Sequence, residues 1–279
     1  MNEDGRATVL ITKANGDRVP FDPKKLEQSM RRAGANQSQI TEIVDQIQTE
    51  LVEGLKTQKI YRKAFDLLRV KSKGIAARYK IKKALFELGP AGYAFEKFLA
   101  EVYRNQGYEA RTNLYLNGKC IQHEMDVVVE NDDEIQYIEC KFHNSAGAKT
   151  DVRTPLYLKS RFDDIQAGNK SAKLHRSVLV TNTRFTQDAI KYGMCVGIVM
   201  ISWDHPEVGN LKDLVEKSGL HPITSLSSLN SKQKKLLIDQ GILLCRDLEK
   251  HEGALMNIGL SANKIKTMHR EVQLLMQAG

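Results

Sequence analysis

Acidic and basic side chains interrupt two β-type runs in the middle of the chain. Asp126 opens the apolar run Val127–Val129, and Glu139 and Lys141 end the next run. Because side chains alternate between the two faces of a strand, Glu139 and Lys141 are predicted to project to the same side. A turn at Asn131–Asp133 would pair the two strands and bring the three side chains together.

Two carboxylates confined between apolar strands need a compensating charge, because burying an unpaired charge is unfavourable. Hard carboxylate oxygens suit Mg²⁺ or Mn²⁺, and Lys141 can stabilise a nucleophilic hydroxide or a phosphate group. Glu96 is a third candidate acid, since Leu99 three positions later places it beside the apolar face of a predicted helix. The alternative for Glu139 and Lys141 is a surface pair on a strand.

The elements that must position these side chains alternate between helices and strands. Apolar runs and turn residues between residues 89 and 210 set their limits. The predicted helices cover residues 92–106 and 186–194, and the predicted strands cover residues 110–116, 120–130, 135–141, 177–180 and 196–201. Such alternation is typical of an α/β core with a mixed central sheet.

Short motifs in this segment occur in the order expected of one known family. They are Gly92–Glu96, Gly107–Ala110, Asp126, Glu139–Lys141 and Val180–Thr186, followed by Ala189 and Gly197-Ile198. Spread over residues 92–203, they resemble the Mrr-like restriction endonuclease branch of the PD-(D/E)xK nuclease superfamily. Glu139 stands where many members of that branch carry glutamine, and a carboxylate is the better metal ligand.

This resemblance implies a restriction-endonuclease-like fold and metal-dependent hydrolysis of DNA phosphodiester bonds. By position, Asp126 and Glu139 are implied to bind Mg²⁺, Lys141 to assist hydrolysis, and Glu96 to orient the site or bind a second metal ion. One such site per chain favours a homodimer where both DNA strands are cut. The alternative is a nucleotide-sensing, DNA-binding regulator with an inactive nuclease fold.

The first 88 residues predict a helical module that opens with a β-hairpin. The turn Asn15-Gly16 separates two short β-type runs, because Asn-Gly accepts the positive φ of a tight turn. Asp22-Pro23 predicts the start of the first helix, and further amphipathic helices follow. The basic stretch Lys73–Leu88 predicts a last helix that ends at Gly89-Pro90.

Residues 6–86 resemble an ATP cone, a small nucleotide-binding module. The resemblance rests on Ile11–Gly16, Phe21–Leu26 and Gly54–Thr57 and on the helix over residues 76–83. It implies nucleotide contacts from Ile11, Lys13, Lys25 and Thr57, with ATP or dATP as a regulatory ligand that is sensed and not hydrolysed. Lysines can clamp phosphates, and a threonine hydroxyl can add a hydrogen bond. The alternative is a helical domain that keeps this shape without binding a nucleotide.

The last segment predicts a small helical domain. Gly241 and Gly259 lie where helices would turn, and Lys264 and Lys266 follow the second of these turns. The pattern resembles helix-hairpin-helix modules, which hold DNA phosphates through backbone N–H groups and nearby lysines. The alternative is a helical packing or dimerisation domain.

Two further groups of side chains have open assignments. Arg153, Lys159 and Arg161 lie on a predicted loop-and-helix surface, where they either contact phosphate groups or face solvent. His123 and Glu124 either contact metal or DNA or form a solvated strand end.

Composition excludes several classes of protein. The chain of 279 residues is 41% hydrophobic and 27% charged, which is typical of a globular protein and not of a disordered one. It has neither a run of 18 apolar residues nor a secretory signal. Its four separated cysteines fit neither a zinc site nor a disulfide framework. We therefore expect a soluble cytoplasmic protein without a membrane partner.

The net charge of +8 is concentrated at the two ends of the chain. Residues 1–88 carry +7, residues 89–210 carry −2 and residues 211–279 carry +3. Basic ends suit DNA as the partner, and solvated helix faces are the alternative. We predict three domains with these boundaries, namely an ATP cone, a nuclease core and a helical tail.

Overall fold

The computed structural model describes residues 9–14 and 16–276. Asn15, the first residue of the predicted hairpin turn, lies outside the described residues. The chain splits into two compact units, of which the first combines Met1–Ala84 with Ile223–Gly279 and the second comprises Leu85–Pro222. The first unit thus draws on both ends of the chain, and the division into three domains stays a prediction.

The described residues of the first unit open with the predicted hairpin, and a series of helices follows it. Strands β1 (Leu10–Thr12) and β2 (Arg18–Pro20) pair antiparallel, with Ile11 opposite Val19. Helices follow at α1 (Pro23–Arg32), α2 (Gln37–Thr49), α3 (Thr57–Lys71), α4 (Lys73–Tyr79) and α5 (Ile81–Phe86). Asp22 caps the first helix, because its side chain accepts a hydrogen bond from the Lys24 N–H.

The single basic helix predicted over Lys73–Leu88 is wrong, because helix α4 ends at Tyr79 and α5 starts at Ile81. The physical reason is a tertiary contact. The hydroxyl of Tyr61 donates to the carbonyl of Tyr79, and the two rings stack with their centroids 4.3 Å apart. A carbonyl engaged by a side chain is diverted from the helical ladder.

The second unit contains a five-stranded mixed sheet. Its elements are α6 (Tyr93–Arg104), β3 (Glu109–Asn117), β4 (Gln122–Glu130), β5 (Glu134–Lys141), β6 (Lys149–Thr150), α7 (Arg153–Gly168), β7 (Leu174–Thr181), β8 (Arg184–Phe185), α8 (Gln187–Cys195), β9 (Val199–Ile201) and α9 (Leu211–Ser218). The strand order is β3-β4-β5-β7-β9, antiparallel from β3 to β5 and parallel from β5 to β9. The predicted mixed sheet is confirmed.

Apolar side chains from both sheet and helices form the core of this unit. Leu158, Phe162 and Ile165 of α7 pack with Leu179 of β7 and Ala189 of α8. Helix α6 packs on β3 and β4. Helices α6, α7 and α8 each turn an apolar stripe to the sheet, as their periodicity requires.

The described residues that follow α9 are mainly helical, and together with the hairpin, the first helices and the mixed sheet they confirm the predicted α/β multidomain fold class. They form α10 (Ser231–Asp239), α11 (Glu252–Asn257) and α12 (Ala262–Met276). Gly241 and Gly259 end helices at a φ of 80°, where a residue without Cβ is favoured. Among the described residues, every helix is too short or too polar to span a bilayer.

Helix α12 packs against α4 within the first unit, and Gly74 makes this approach possible. A Cβ at Gly74 would overlap the carbonyl oxygen of Leu274, which is backbone and cannot move aside. We expect Gly74→Ala to lower the free energy of unfolding by about 1–3 kcal/mol, as overpacking does. Urea unfolding measures the change. Gly253→Ala in α11 is the control, since nothing lies within 4 Å of its Cβ, and an equal loss in both variants would contradict the prediction.

Candidate active site

Asp126 and Glu139 lie side by side on antiparallel strands β4 and β5. Their positions adjoin the register pair of Val127 and Ile138. Asp126 Oδ2 accepts a hydrogen bond of 2.7 Å from the Cys140 N–H. Burial raises the pKa of both carboxyls, and the Asp126 charge raises the pKa of Glu139 further. The two side chains are therefore confined near each other in a site that disfavours their ionised forms.

Glu96 extends this cluster from the first turn of α6. Burial raises its pKa to about 7, and the carboxylates of Asp126, Glu139 and Glu124 add to the shift. Gly92 precedes the helix and would place a Cβ 3.1 Å from Glu96 Oε1. The Glu96 carboxyl thus lies within electrostatic reach of both strand acids.

Lys141 is the last residue of β5 and is exposed. Its charge lowers the pKa of Asp126 and of Glu139, after larger contributions from burial and other groups. Its ammonium makes no hydrogen bond or ion pair with any other described residue. The structure therefore brings Glu96, Asp126, Glu139 and Lys141 together, and it leaves the lysine available to a ligand.

Arg161 contacts the site directly, which the sequence reasoning missed. The sequence predicts phosphate groups or solvent as its surroundings, whereas the guanidinium is buried and Nη1 lies 2.6 Å from Glu139 Oε2. Its helical neighbours explain this, because Leu158 and Ile165, three positions before and four after, are both buried. Arg153 and Lys159 instead pair with Asp151 and Asp163.

A buried polar network holds the backbone beyond Lys141. The hydroxyl of Thr181 donates to the Lys141 carbonyl at 2.8 Å. The Asn182 side chain accepts from the His143 N–H at 2.8 Å and donates to the His143 carbonyl at 2.9 Å. Asn182 thereby continues the parallel hydrogen bonding of β5 and β7 beyond the last residues of the two strands. In the sequence, this role is indicated by the polar run that follows the apolar part of β7.

His123 and Glu124 have different environments. The His123 ring lies 2.8 Å from the Asp164 carboxylate and is largely buried, so the solvated strand end is wrong for this residue. Hydrogen bonds from the His123 side chain and from the Cys120 and Ile121 N–H groups hold the pKa of Asp164 well below its usual range. Glu124 is exposed, and its charge acts on both Glu96 and Asp126.

The donor set suits a hydrated divalent cation. Within the described residues, no three His, Cys, Asp or Glu side chains are spaced to enclose a metal ion. Mg²⁺ does not require such a cage, because it keeps several waters and is usually held by one or two carboxylates. Asp126 and Glu139 fit that description, and the raised pKa of both acids marks a place where added positive charge is favourable.

The candidate nucleotide residues lie in the first unit, where they line one cavity of about 210 Å³. Ile11, Lys13, Lys25 and Thr57 all contribute to its wall, together with the stacked pair of Tyr61 and Tyr79 and with Phe21. Thr57 is the first residue of α3, and Lys25 lies in the first turn of α1. The pocket therefore has a cationic part, formed by the two lysines, and an apolar part, formed by Ile11 and the aromatic rings.

The pKa of Glu96 predicts how pH acts on the metal-free protein. A carboxyl with a pKa of about 7 when folded and 4.5 when unfolded stabilises the fold at low pH, and this contribution is lost as pH rises through 7. We expect Glu96→Gln to flatten the decline in unfolding temperature between pH of about 5 and 8. Thermal unfolding in EDTA across this pH range measures the decline. Glu101→Gln, an equal charge change on the same helix, should retain the decline, and a Glu96→Gln profile that still follows the unsubstituted protein would contradict the assignment.

Three family models match the chain in sequence order. A model described as an ATP cone domain matches residues 9–86. The Mrr catalytic model, described as a restriction endonuclease, matches residues 90–207, and one described as AF1548-like, C-terminal, matches residues 221–276. The first two are the modules that the sequence motifs predicted, and their order is confirmed.

The chain is also similar to individual proteins. A protein of Archaeoglobus fulgidus named only as uncharacterized is 35% identical over 176 residues, which are 63% of this chain and 98% of that protein. The crystal structure of the protein of unknown function AF1548 is 33% identical with a TM-score of 0.56, covering 68% of this chain and 100% of its own. Can2 from Sulfobacillus thermosulfidooxidans in complex with cyclic tetra-adenylate is 16% identical over 64% of this chain and 49% of its own, and its TM-score of 0.28 is too low to bear on this chain. The chain belongs to the AF1548-like family, and it carries an ATP cone, an Mrr-type restriction endonuclease domain and an AF1548-like C-terminal domain.

Proposed function

We propose that the protein is a DNA endonuclease that requires Mg²⁺ or Mn²⁺ and responds to ATP or dATP. The observation that carries this proposal is the convergence of Glu96, Asp126, Glu139 and Lys141 at one end of the sheet, in a domain matched to restriction endonucleases. A protein that only bound DNA would have no need to confine three carboxylates together, because their mutual repulsion is unfavourable.

Each side chain has a distinct role in this proposal. Asp126 and Glu139 would hold the divalent ion, which when bound would supply Lewis acidity and neutralise phosphate charge. Lys141 donates hydrogen bonds to the scissile phosphate or the attacking hydroxide, since its ammonium has no competing partner among the described side chains. Glu96 supports the site from the first turn of α6, where its carboxyl can orient the metal ligands or bind a second ion.

A second candidate function is a nucleotide-sensing DNA-binding regulator with an inactive nuclease fold. The ion pair between Arg161 and Glu139 favours it, because that pair occupies an oxygen which the metal would use. We prefer the endonuclease, since the Cys140 N–H engages Asp126 Oδ2 and Arg161 engages Glu139 Oε2, which leaves Asp126 Oδ1 and Glu139 Oε1 for an ion. In addition, Lys141 has no ion pair among the described residues. Only cleavage separates the two functions, because both include DNA and nucleotide binding.

The test is nicking and linearisation of a supercoiled plasmid with Mg²⁺ or EDTA, each without nucleotide, with ATP and with dATP. We expect cutting with Mg²⁺ and none with EDTA, at a rate that a nucleotide changes. DNA that is bound but uncut under all conditions would favour the regulator. Because each chain carries one such site, cutting of both strands favours a dimer, which sedimentation experiments would detect.

Nucleotide binding is tested separately from cleavage. Lys25 lines the cavity, whereas its neighbour Lys24 is not part of the wall. We expect Lys25→Ala to weaken ATP binding about tenfold or more, the usual loss for a hydrogen bond to a charged group. Lys24→Ala is the matched control in the same calorimetric titration. Equal affinities of the two variants, or no binding of ATP or dATP to the unsubstituted protein, would refute this part of the proposal.

A further inference from the structure

Arg161 is a buried cation inside the carboxylate site. Its side chain is 10% exposed and that of Glu139 is 19% exposed, and Nη1 and Oε2 lie 2.6 Å apart. The guanidinium also lies over the Tyr157 ring, with Cζ 5.3 Å from the ring centroid. Arginine is rarely buried unless it is paired, so the Glu139 carboxylate is the partner that makes this burial tolerable.

The charge of Arg161 reaches both strand acids. Burial raises the pKa of Asp126 and of Glu139, and in each case Arg161 opposes the shift more strongly than Lys141 does. Lys141 is exposed, so water screens its charge, whereas the buried guanidinium is screened less. Of the two cations, Arg161 is therefore the one that balances the carboxylates when no metal is bound.

A divalent ion and Arg161 compete for the same carboxylate. An ion held by Asp126 and Glu139 would lie within a few ångströms of the guanidinium, where like charges repel strongly. We propose that Arg161 is the built-in counter-cation of this site: it fixes Glu139 while the site is metal-free and weakens the binding of the metal ion. Arg161 is thus a positioning residue, and the inference rests on the proposed metal-dependent function.

Manganese binding to the intact protein tests the proposal without any cleavage. The variants are Arg161→Gln, which removes the charge, Arg161→Lys, which keeps it, and Lys159→Gln, an equal charge change on the same helix. Calorimetric titration at one fixed pH of about 8 compares the variants under the same conditions. We expect Arg161→Gln to bind Mn²⁺ about tenfold more tightly than the unsubstituted protein, and the other two variants to bind it with nearly the original affinity.

Unfolding temperatures in EDTA give a second readout. Arg161→Gln should lower the unfolding temperature, because it leaves the Glu139 charge buried without its partner. The double variant Arg161→Gln/Glu139→Gln should recover most of that loss, since neither charge is then unpaired. If the double variant instead loses the sum of the losses in unfolding temperature of Arg161→Gln and of Glu139→Gln, the proposal is overturned.

The outcomes separate this inference from the proposed function. If the unsubstituted protein binds Mn²⁺ and Arg161→Gln binds it no more tightly than Lys159→Gln, the counter-cation role is overturned and the metal-dependent function stands. If the unsubstituted protein binds no Mn²⁺, the metal-dependent function fails and the counter-cation role fails with it.

Discussion

Lys141→Ala is expected to reduce DNA cleavage by about 10²–10³-fold, the usual loss when one preorganised charge at a reacting group is removed. DNA affinity should change little, because many phosphate contacts share the binding energy. The ammonium is exposed at the end of β5 and has no ion pair among the described residues, so its removal leaves no partner unsatisfied. Single-turnover cleavage and a gel-shift titration on the same DNA measure the two quantities.

Lys170→Ala is the matched control for this prediction. Lys170 is an exposed lysine in the loop before the first residue of β7. Because β5 and β7 run parallel, it lies near the opposite end of these strands from Lys141. The control should cleave at the original rate. A loss of cleavage that is matched by an equal loss of DNA binding in Lys141→Ala would contradict the catalytic role and assign the lysine to DNA binding alone.

Asp126→Asn is expected to abolish metal binding and to lower cleavage more than about a hundredfold, since a catalytic metal supplies several kcal/mol. The fold should persist, because the asparagine oxygen can still accept the hydrogen bond from the Cys140 N–H. Removing one of three neighbouring carboxylates also relieves repulsion, so the unfolding temperature in EDTA should not fall. Calorimetric titration of Mn²⁺ and thermal unfolding check both expectations.

Asp132→Asn is the control for the metal ligand. Asp132 is exposed in the turn that joins β4 and β5, so the substitution makes the same charge change outside the cluster. It should retain both Mn²⁺ affinity and cleavage. An Asp126→Asn protein that still binds Mn²⁺ as tightly as Asp132→Asn does would remove Asp126 from the metal site.

The arrangement of the strand acids was predictable from local rules. Alternation along a strand places Glu139 and Lys141 on one face, and the short turn between β4 and β5 brings Asp126 to Glu139. Glu96 was predictable for a similar reason, because helical spacing placed it beside the apolar stripe of α6. Each of these inferences needs only the period of one element and the pairing of neighbours.

Other contacts were not predictable because they join residues that are distant in sequence. Arg161 reaches Glu139 across 22 positions, and the pair of His123 and Asp164 spans 41. The split between α4 and α5 likewise depends on Tyr61, which lies on another helix. No local period marks such partners, and only the packing of α7 and α3 against their neighbours determines them.

The central claim is that this carboxylate site cleaves DNA with the help of a divalent metal. Its most direct test is the linearisation of supercoiled plasmid by the unsubstituted protein and by Asp126→Asn, purified identically and each assayed with Mg²⁺ and with EDTA. We expect cutting only by the unsubstituted protein and only with Mg²⁺. Equal cutting by the two proteins would show that the activity does not come from this site, and would contradict the claim.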